Sequence, residues 1–384
     1  MKIIYVTTAM EANDYKSFVS LWSKKPNPSN QNFHNKMIRA LAINNEVEVV
    51  SIRPFSRKLV APKYLSKEEK TQGNISWHYL SIKGNKIARF LKVKKNCLKA
   101  LKKSENKDAI IITDTINRNC LTGALAISKS YKIPVIGICT DSPSNITGTY
   151  RSYTMFLLKR AAKCHGFIAL TEGLNSLFNE NNHPHIVIEG IVDQCNVTPH
   201  QEDKPYFFFG GSLLPRYGIN ELVDGFNSLN RDDIKLIIAG HSGNDAILNN
   251  KIKDNPNINF IGTMDVMDVL SYEAGAIANI NPRPFSEDLD RFSVPSKTIE
   301  YLTSGVPTIS IRNSILKQYF EDVIIWVNES TSETLKEAME NVLNSSLEER
   351  MELGMKAKEK VQEYFSMDKV SRKISDFLIT FLQK

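Results

Sequence analysis

Short, continuous apolar runs rich in β-branched residues recur along this chain, separated by amphipathic or polar stretches, and this alternation limits its fold more than any other feature. In the first half the runs fall at 2–8, 47–53, 76–82, 109–114, 134–141, 166–171 and 185–189, with helix-like stretches at 32–43 and 87–101. Runs that lack in–out alternation read as parallel strands buried on both faces. The segment 193–204 is polar, contains Pro199 and reads as a linker. Beyond it the pattern restarts at 206–211, 235–240, 257–262, 276–281, 306–310 and 323–327. Strand–helix alternation implies parallel sheets with right-handed crossovers. The expectation is an α/β chain of two Rossmann-like, doubly wound domains facing a cleft: residues 1–195, a linker at 196–204, residues 205–365, and a final segment at 366–384. That segment reads as a helix capped by Ser366, with Val370, Ile374, Phe377, Leu378 and Phe381 on one face. The polar stretch 11–31, with Pro26 and Pro28, reads as a long functional loop.

Composition narrows the class. Hydrophobic residues make up 42% and charged residues 24%, which suits a packed globular core. No apolar run approaches the roughly 20 residues of a membrane span. The start, Met1-Lys2-Ile3-Ile4-Tyr5-Val6, lacks the phases of a signal peptide and reads as a first buried strand. Cys97, Cys120, Cys139, Cys164 and Cys195 are widely spaced without a Cys-x-x-Cys pair, so they read as reduced thiols of a cytoplasmic protein. The net charge of +7 is concentrated: residues 83–107 hold ten bases and one acid, Glu105, and the rest of the chain is slightly acidic. One local patch argues against a nucleic-acid binder, and its lone aromatic residue, Phe90, falls short of the aromatic interleaving such a surface would require. Ile87, Phe90, Leu91, Cys97, Leu98 and Leu101 form an apolar stripe on this lysine-rich stretch. A helix of that kind can lie on an anionic membrane surface, or it can bury its stripe in the core with its lysines in water.

Three constellations carry candidate chemistry, all at strand ends, where open sheets of this kind bind ligands. In Phe209-Gly210-Gly211-Ser212-Leu213-Leu214-Pro215-Arg216-Tyr217-Gly218 a strand ends in paired glycines before a helix. Glycine admits close backbone approach and a helix start offers free amides to phosphate; the same pattern also serves a tight strand–helix turn. It is not the spaced G-x-G-x-x-G of dinucleotide binding. In Asn281-Pro282-Arg283-Pro284 an arginine between prolines offers a stiffly held fork for phosphate, or forms a rigid surface turn. In the third, residues 292–307, Pro295 or Ser296 starts a helix and Gly305 ends it. Lys297 in the first turn opposes the helix dipole unless an anion is bound there. Glu300 shares its side by i, i+3 spacing and can accept from two ribose hydroxyls; the alternative is an ordinary surface Lys–Glu pair.

In this order, the residues resemble the retaining family-4 glycosyltransferases of the GT-B fold, and within them the branch used in bacterial capsule, exopolysaccharide and O-antigen assembly. The resemblance rests on G-G-S-L-x-x-x-Y-G at 210–218, N-P-R-P at 281–284 and F-S-V-P-S-K-x-x-E-Y-L-x-S-G-x-P at 292–307. It extends weakly to Thr171-Glu172 and to Glu189-Gly190-Ile191-Val192-Asp193, which are similar to that family's inter-domain passage. It implies a final helix crossing back to the first domain. It also implies a donor site of Gly210, Gly211, Ser212, Arg283, Ser293, Pro295, Ser296 and Glu300, with Glu300 on the ribose. The first Glu of the family's Glu-x7-Glu motif falls at Phe292, and the usual Arg and Lys of the glycine-rich loop fall at Ser212 and Tyr217. Arg216 and Arg283 are placed to neutralise diphosphate instead. The family's His-Asp pair reads Thr140-Asp141 here, which leaves Asp141 toward the cleft and the His role vacant.

The implied activity is transfer of a hexose from a nucleotide sugar, with UDP favoured and GDP or dTDP as options. The acceptor is lipid-pyrophosphate-linked or an oligosaccharide. Arg216, Lys297 and Asp141 are the expected catalytic residues, with retention at the anomeric carbon and no metal or other cofactor. The implied setting is surface polysaccharide synthesis in the cytoplasm, peripheral on the inner face of the membrane through residues 83–107. Two rivals stand beside it: a non-catalytic nucleotide- or glycan-binding relative, motivated by Phe292, and a sugar-nucleotide epimerase, which would need no acceptor.

Overall fold

The computed structural model describes residues 1–22, 28–54, 64–65, 67–83, 86–101, 108–145, 150–194, 196–241 and 245–382. The chain forms two compact units. One comprises Met1–Ile191, Arg291–Ser293 and Met367–Lys384; the other comprises Val192–Asp290 and Val294–Ser366.

The first unit is built on an eight-stranded sheet in the order His185–Val187, Gly166–Ala169, Val135–Cys139, Ala109–Asp114, Lys2–Thr7, Glu46–Ser51, Ile75–Tyr79, Glu68–Gln72. All neighbours are parallel except the last pair. Because side chains alternate across a strand, the continuous apolar runs feed two cores. Ile3, Tyr5, Ile110 and Ile112 join one, against Met37, Ile38 and Leu41 of the helix Ser29–Asn44 and Val370, Ile374 and Leu378 of the helix Met367–Ile379. Ile4, Val6 and Ile111 join the other, with Leu121 and Ala124 of Arg118–Tyr131. Burial of each such isoleucine contributes about 1.5–3 kcal/mol. The final helix is also tied by hydrogen bonds from Asn44 Nδ2 to Ser371 Oγ (3.0 Å) and from Asn45 Nδ2 to Ser375 Oγ (3.2 Å). Within the first of these cores the Tyr5 hydroxyl and His34 Nδ1 are 2.7 Å apart, and His34 Nε2 lies 3.6 Å from Asp114 Oδ2.

Three readings of this half change. The stretch 11–31 is not one loop. It contains the helix Ala12–Ser20, whose first amides, Asn13 N and Asp14 N, donate to the Glu11 carboxylate, and the next helix begins at Ser29. Tyr15, Phe18, Val19 and Trp22 recur at helical spacing and pack on the core. Residues 23–27 lie outside the described residues. The strand read at 76–82 ends at Tyr79; Glu68–Gln72 pairs with it antiparallel about Gly73-Asn74, and Ile82–Lys83 pairs instead with Tyr64–Leu65. The helix Lys86–Ala100 does not bury the stripe as read: Val93, Cys97 and Leu101 are buried, whereas Ile87 and Leu91 are 69% and 71% exposed. Lys92, Lys94, Lys95 and Lys99 are exposed around them. Lys102, Lys103 and Lys107 lie outside the described residues. Cys97, Cys120, Cys139 and Cys164 are buried free thiols, and burial pushes Cys97 and Cys164 up to about 12; Cys195 is outside the described residues.

The second unit has six parallel strands in the order Ile258–Gly262, Lys235–His241, Tyr206–Ser212, Ala278–Asn281, Thr308–Ile311, Ile325–Val327. Phe207 and Phe209 enter one core with Leu222, Val223 and Phe226 of the helix Ile219–Ser228; Tyr206 and Phe208 enter another. The stretch read as a linker is pinned to this unit. The His200 ring stacks on Tyr272 at 3.7 Å, the His200 backbone N–H donates to Ser271 O (2.9 Å), and Ser271 Oγ donates to Thr198 O (2.6 Å). Asp322 accepts from Lys360 (2.5 Å) and pairs with Lys356 (3.0 Å) on the helix Leu347–Phe365. Among the described residues no helix is long and apolar enough to cross a membrane.

Candidate active site

In the second sheet the chain order reverses direction at the strand Tyr206–Ser212: later strands add on one side up to Ile258–Gly262 and then on the other from Ala278–Asn281. Such switch points leave a crevice at the carboxyl ends of the two central strands. Here the two pair only at Phe207↔Ala278 and Phe208↔Asn279, so they part just before the glycines. The parting frees the backbone of Gly210, which is buried and must find other partners. The Tyr301 hydroxyl supplies them. It accepts from Gly210 N (2.9 Å) and donates to Gly210 O (3.2 Å). Tyr301 is fully buried, and burial together with the nearby Glu273 charge pushes its phenol well above the usual value, so it remains a donor.

Beyond Gly210, Gly211 is half-buried and Ser212 is exposed. Gly240 on the adjacent strand has φ +142°, and a side chain there would collide with the Gly211 carbonyl. The turn Pro215–Tyr217 then presents Arg216, exposed, and Tyr217. Gly218 has φ +80°, and a side chain on it would strike Pro282 O, which also accepts from Ser330 Oγ (2.6 Å). Only glycine fits there, and that contact brings Asn281-Pro282-Arg283-Pro284 against the glycine-rich turn. Two guanidinium groups thereby converge on one ring: Arg216 lies 5.1 Å and Arg283 5.7 Å from the centroid of Tyr217, with Arg216 Nη2 donating to Tyr217 Oη (3.4 Å).

The helix Ser296–Leu302 follows Pro295 and has no side-chain cap. Its inner face is fixed by Thr298, whose hydroxyl accepts from Asn281 Nδ2 (2.8 Å) and lies 3.0 Å from Ser310 Oγ. Its outer face carries Lys297 and Glu300. Lys297 Nζ is 2.5 Å from Glu300 Oε1 and 3.8 Å from Glu273 Oε1. Desolvation works against the ammonium, but Glu300 and Glu273 outweigh it and hold Lys297 above the ordinary lysine value. The dipole penalty at Lys297 is thus offset by two carboxylates of the protein itself.

The second unit therefore brings together Gly210, Gly211, Ser212, Arg216, Arg283, Pro295, Ser296, Lys297 and Glu300 on elements that meet at this strand edge. Ser293 and Asp141 belong to the first unit. Ser293 is half-buried and adjoins Phe292, which packs on the first unit's core, and Arg291 O accepts from Thr171 Oγ1 (2.8 Å). Asp141 Oδ1 accepts from Ser142 N (2.7 Å). The sequence gives no role to Tyr301 and no sign of Glu273 or Ser330, and it marks Tyr217 only as the place where the family's lysine is missing. Among the described residues no group of three or more His, Cys, Asp or Glu side chains could hold a metal ion.

Residues 193–360 match the family described as Glycosyl transferases group 1. No curated protein matches the chain. Among solved structures it is similar to the sucrose-phosphate synthase of Thermosynechococcus elongatus, at TM-score 0.72 and 12% identity, covering 100% of both chains. It is similar to a trehalose-6-phosphate structure from E. coli bound with UDP-2-fluoro glucose, at TM-score 0.68 and 11% identity, covering 98% of this chain and 99% of that one. It is likewise similar to Anabaena HepE in complex with UDP, at TM-score 0.68 and 13% identity, covering 99% and 100%. Residues 193–360 thus carry a glycosyltransferase group 1 domain, in a chain with the two-domain, parallel-sheet fold of the GT-B glycosyltransferases.

Proposed function

We propose that this chain is a glycosyltransferase that binds a nucleotide-sugar donor at the strand edge of its second unit and transfers a hexose to a lipid-linked or saccharide acceptor. The observation that carries the reading is the convergence of Arg216 and Arg283 on Tyr217, on a loop that Asn281 ties to the helix of Lys297 and Glu300, at the switch point of a parallel sheet. Two forked cations and an ammonium suit a diphosphate, and a carboxylate one helical turn away suits ribose hydroxyls. The HepE structures are described as complexes with UDP, UDP and glucose, or UDP-glucose, which favours a UDP-sugar here over GDP or dTDP donors.

As the glycosidic bond to the diphosphate breaks, the sugar becomes cation-like and the diphosphate gains charge. Arg216, Arg283 and Lys297, with the amides around Gly211 and Ser212, stabilise that charge more in the transition state than before it. Ser293, Pro295 and Ser296 complete the donor site in this reading. Residues 1–195 take the acceptor, with Asp141 addressed to it. Transfer proceeds with retention, the donor phosphate taking the acceptor proton, so no side-chain nucleophile is assigned. Exposed Ile87 and Leu91 among exposed lysines support docking of the first unit on the inner, cytoplasmic face of an anionic membrane during surface polysaccharide synthesis.

Calorimetric titration of UDP, GDP, dTDP and CDP into wild type and Glu300→Ala tests the donor site. One nucleotide is expected to bind tightly and to lose about tenfold or more in the variant, about 1.4 kcal/mol. Folded protein that binds none of them would overturn the reading. Binding without turnover of the matching nucleotide sugar would leave a non-catalytic relative, the reading that Phe292 in place of the family's glutamate favours.

A further inference from the structure

Behind Lys297 and Glu300 stands a third ionisable group. Glu273 lies near the end of the helix Val266–Gly275, among residues that pin this helix to the unit: Tyr272 stacks on His200, and Asn279 Nδ2 donates to the Glu273 carbonyl (3.1 Å). Its carboxylate is turned inward, with the side chain 0% exposed and 3.8 Å from Lys297 Nζ. Lys297 is 36% exposed and Glu300 28%. The ammonium thus has one carboxylate on the solvent side and one on the core side. Among the described residues, the charged groups that act on it are Glu300 from its own helix and Glu273 from the neighbouring one.

Burying a carboxylate is costly, and an apolar residue of similar size is often more stabilising than a buried ion pair. Packing alone therefore does not account for Glu273. A functional account follows from how the site must rearrange. In the apo arrangement Glu300 Oε1 is 2.5 Å from Lys297. A nucleotide needs the same Glu300 to accept from its ribose and the same Lys297 to face its phosphates. The two must let go of one another on binding, and Glu273 is the carboxylate that stays fixed 3.8 Å from the ammonium while it turns from Glu300 to the phosphates.

We propose that Glu273 is a positioning residue for donor binding: the standing counter-ion that keeps Lys297 charged and aimed while Glu300 exchanges the ammonium for ribose hydroxyls. This rests on the donor-site reading above. It moves no proton and forms no bond.

The test uses the full chain and whichever of UDP, GDP, dTDP and CDP binds it best, titrated by calorimetry from pH 7 to 10. Wild-type affinity is expected to stay flat to about pH 9, because two carboxylates hold the lysine proton above its reference near 10.4. Glu273→Gln, with one carboxylate fewer, is expected to bind about tenfold more weakly, and the loss is expected to grow as pH rises from 8 to 10. Glu273→Asp should recover part of the affinity. A second comparison covers poor folding of the single variant. Glu273→Gln/Lys297→Met should bind no worse than Lys297→Met and melt at a higher temperature, because it removes a buried carboxylate that has lost its lysine. Wild-type affinity and pH profile in Glu273→Gln overturn the inference, as does an equal loss on adding Glu273→Gln to the Lys297→Met background. If binding responds to Glu300→Ala and not to Glu273→Gln, this inference alone fails. If wild type binds no nucleotide, the donor site and this role fail together.

Discussion

Tyr301→Phe removes a single oxygen from a fully buried ring and leaves the packing of that ring unchanged. The lost atom makes two hydrogen bonds, one from Gly210 N and one to Gly210 O, at the place where the neighbouring strand has turned away. A typical hydrogen bond is worth about 0.5–1.5 kcal/mol net, and a buried group left unsatisfied costs about 1–3 kcal/mol. The expected destabilisation is therefore about 2–3 kcal/mol. For a unit of this size one kcal/mol moves the melting temperature by about 2–4 °C, which gives a fall of roughly 5–10 °C. Scanning calorimetry of wild type and variant measures it, and nucleotide titration on the same samples reads the second consequence, a loss of affinity, because Gly210 leads directly into the phosphate-facing turn. A melting temperature within about 1 °C of wild type would refute the claim that this hydroxyl replaces the missing strand. A large drop in stability with unchanged affinity would show that it holds the strand without shaping the site.

Gly218→Ala should lower both stability and nucleotide affinity, because φ +80° disfavours a side chain and the new Cβ strikes Pro282 O; calorimetry should read a cost of about 1–2 kcal/mol or more. Tyr5→Phe leaves His34 Nδ1 buried without its partner and should cost about 1–3 kcal/mol by urea denaturation. Lys360, then Lys356, holds the Asp322 carboxyl down to about 2, below its unfolded value, so its contribution is present above pH about 4 and is lost as pH falls toward 2. Asp322→Asn should flatten that part of the acid limb in a pH-dependent melt. The effect should be small and should vanish in high salt, since the carboxylate is half-exposed.

The strand pattern was legible because strands buried on both faces cannot hide their composition: Ile3-Ile4-Tyr5-Val6 and Ala109-Ile110-Ile111-Ile112 read as core from either side. The helix Ser296–Leu302 starts where Pro295 and Ser296 indicated and is capped by Thr303, two residues before Gly305, whose φ is +83°. Ala12–Ser20 was hidden by its polar residues and by a glutamate cap, although Tyr15, Phe18, Val19 and Trp22 carried the helical period. The Gly73-Asn74 hairpin was legible and went unread, since its outer strand is exposed throughout and offers no apolar run. In the site, glycines and arginines declare themselves by type. Tyr301 and Glu273 do not: a tyrosine on a helix face reads as core filler and a glutamate as solvated, and only the third dimension places one against Gly210 and the other beneath Lys297. Asn279 and Asn281, buried within a four-residue strand, were the sequence's one hint of a polar network there.

Two glycines that touch across adjacent strands also limit how this edge can be redesigned. Adding a side chain at Gly240 meets the Gly211 carbonyl, and adding one at Gly210 meets the ring of Phe208. Saturation libraries at these positions would return mostly unfolded clones. An effort to retarget the edge to a different ligand gains more from varying Ser212, Arg216 and His241, which are exposed and tolerate new shapes, while the glycines are left as a fixed floor.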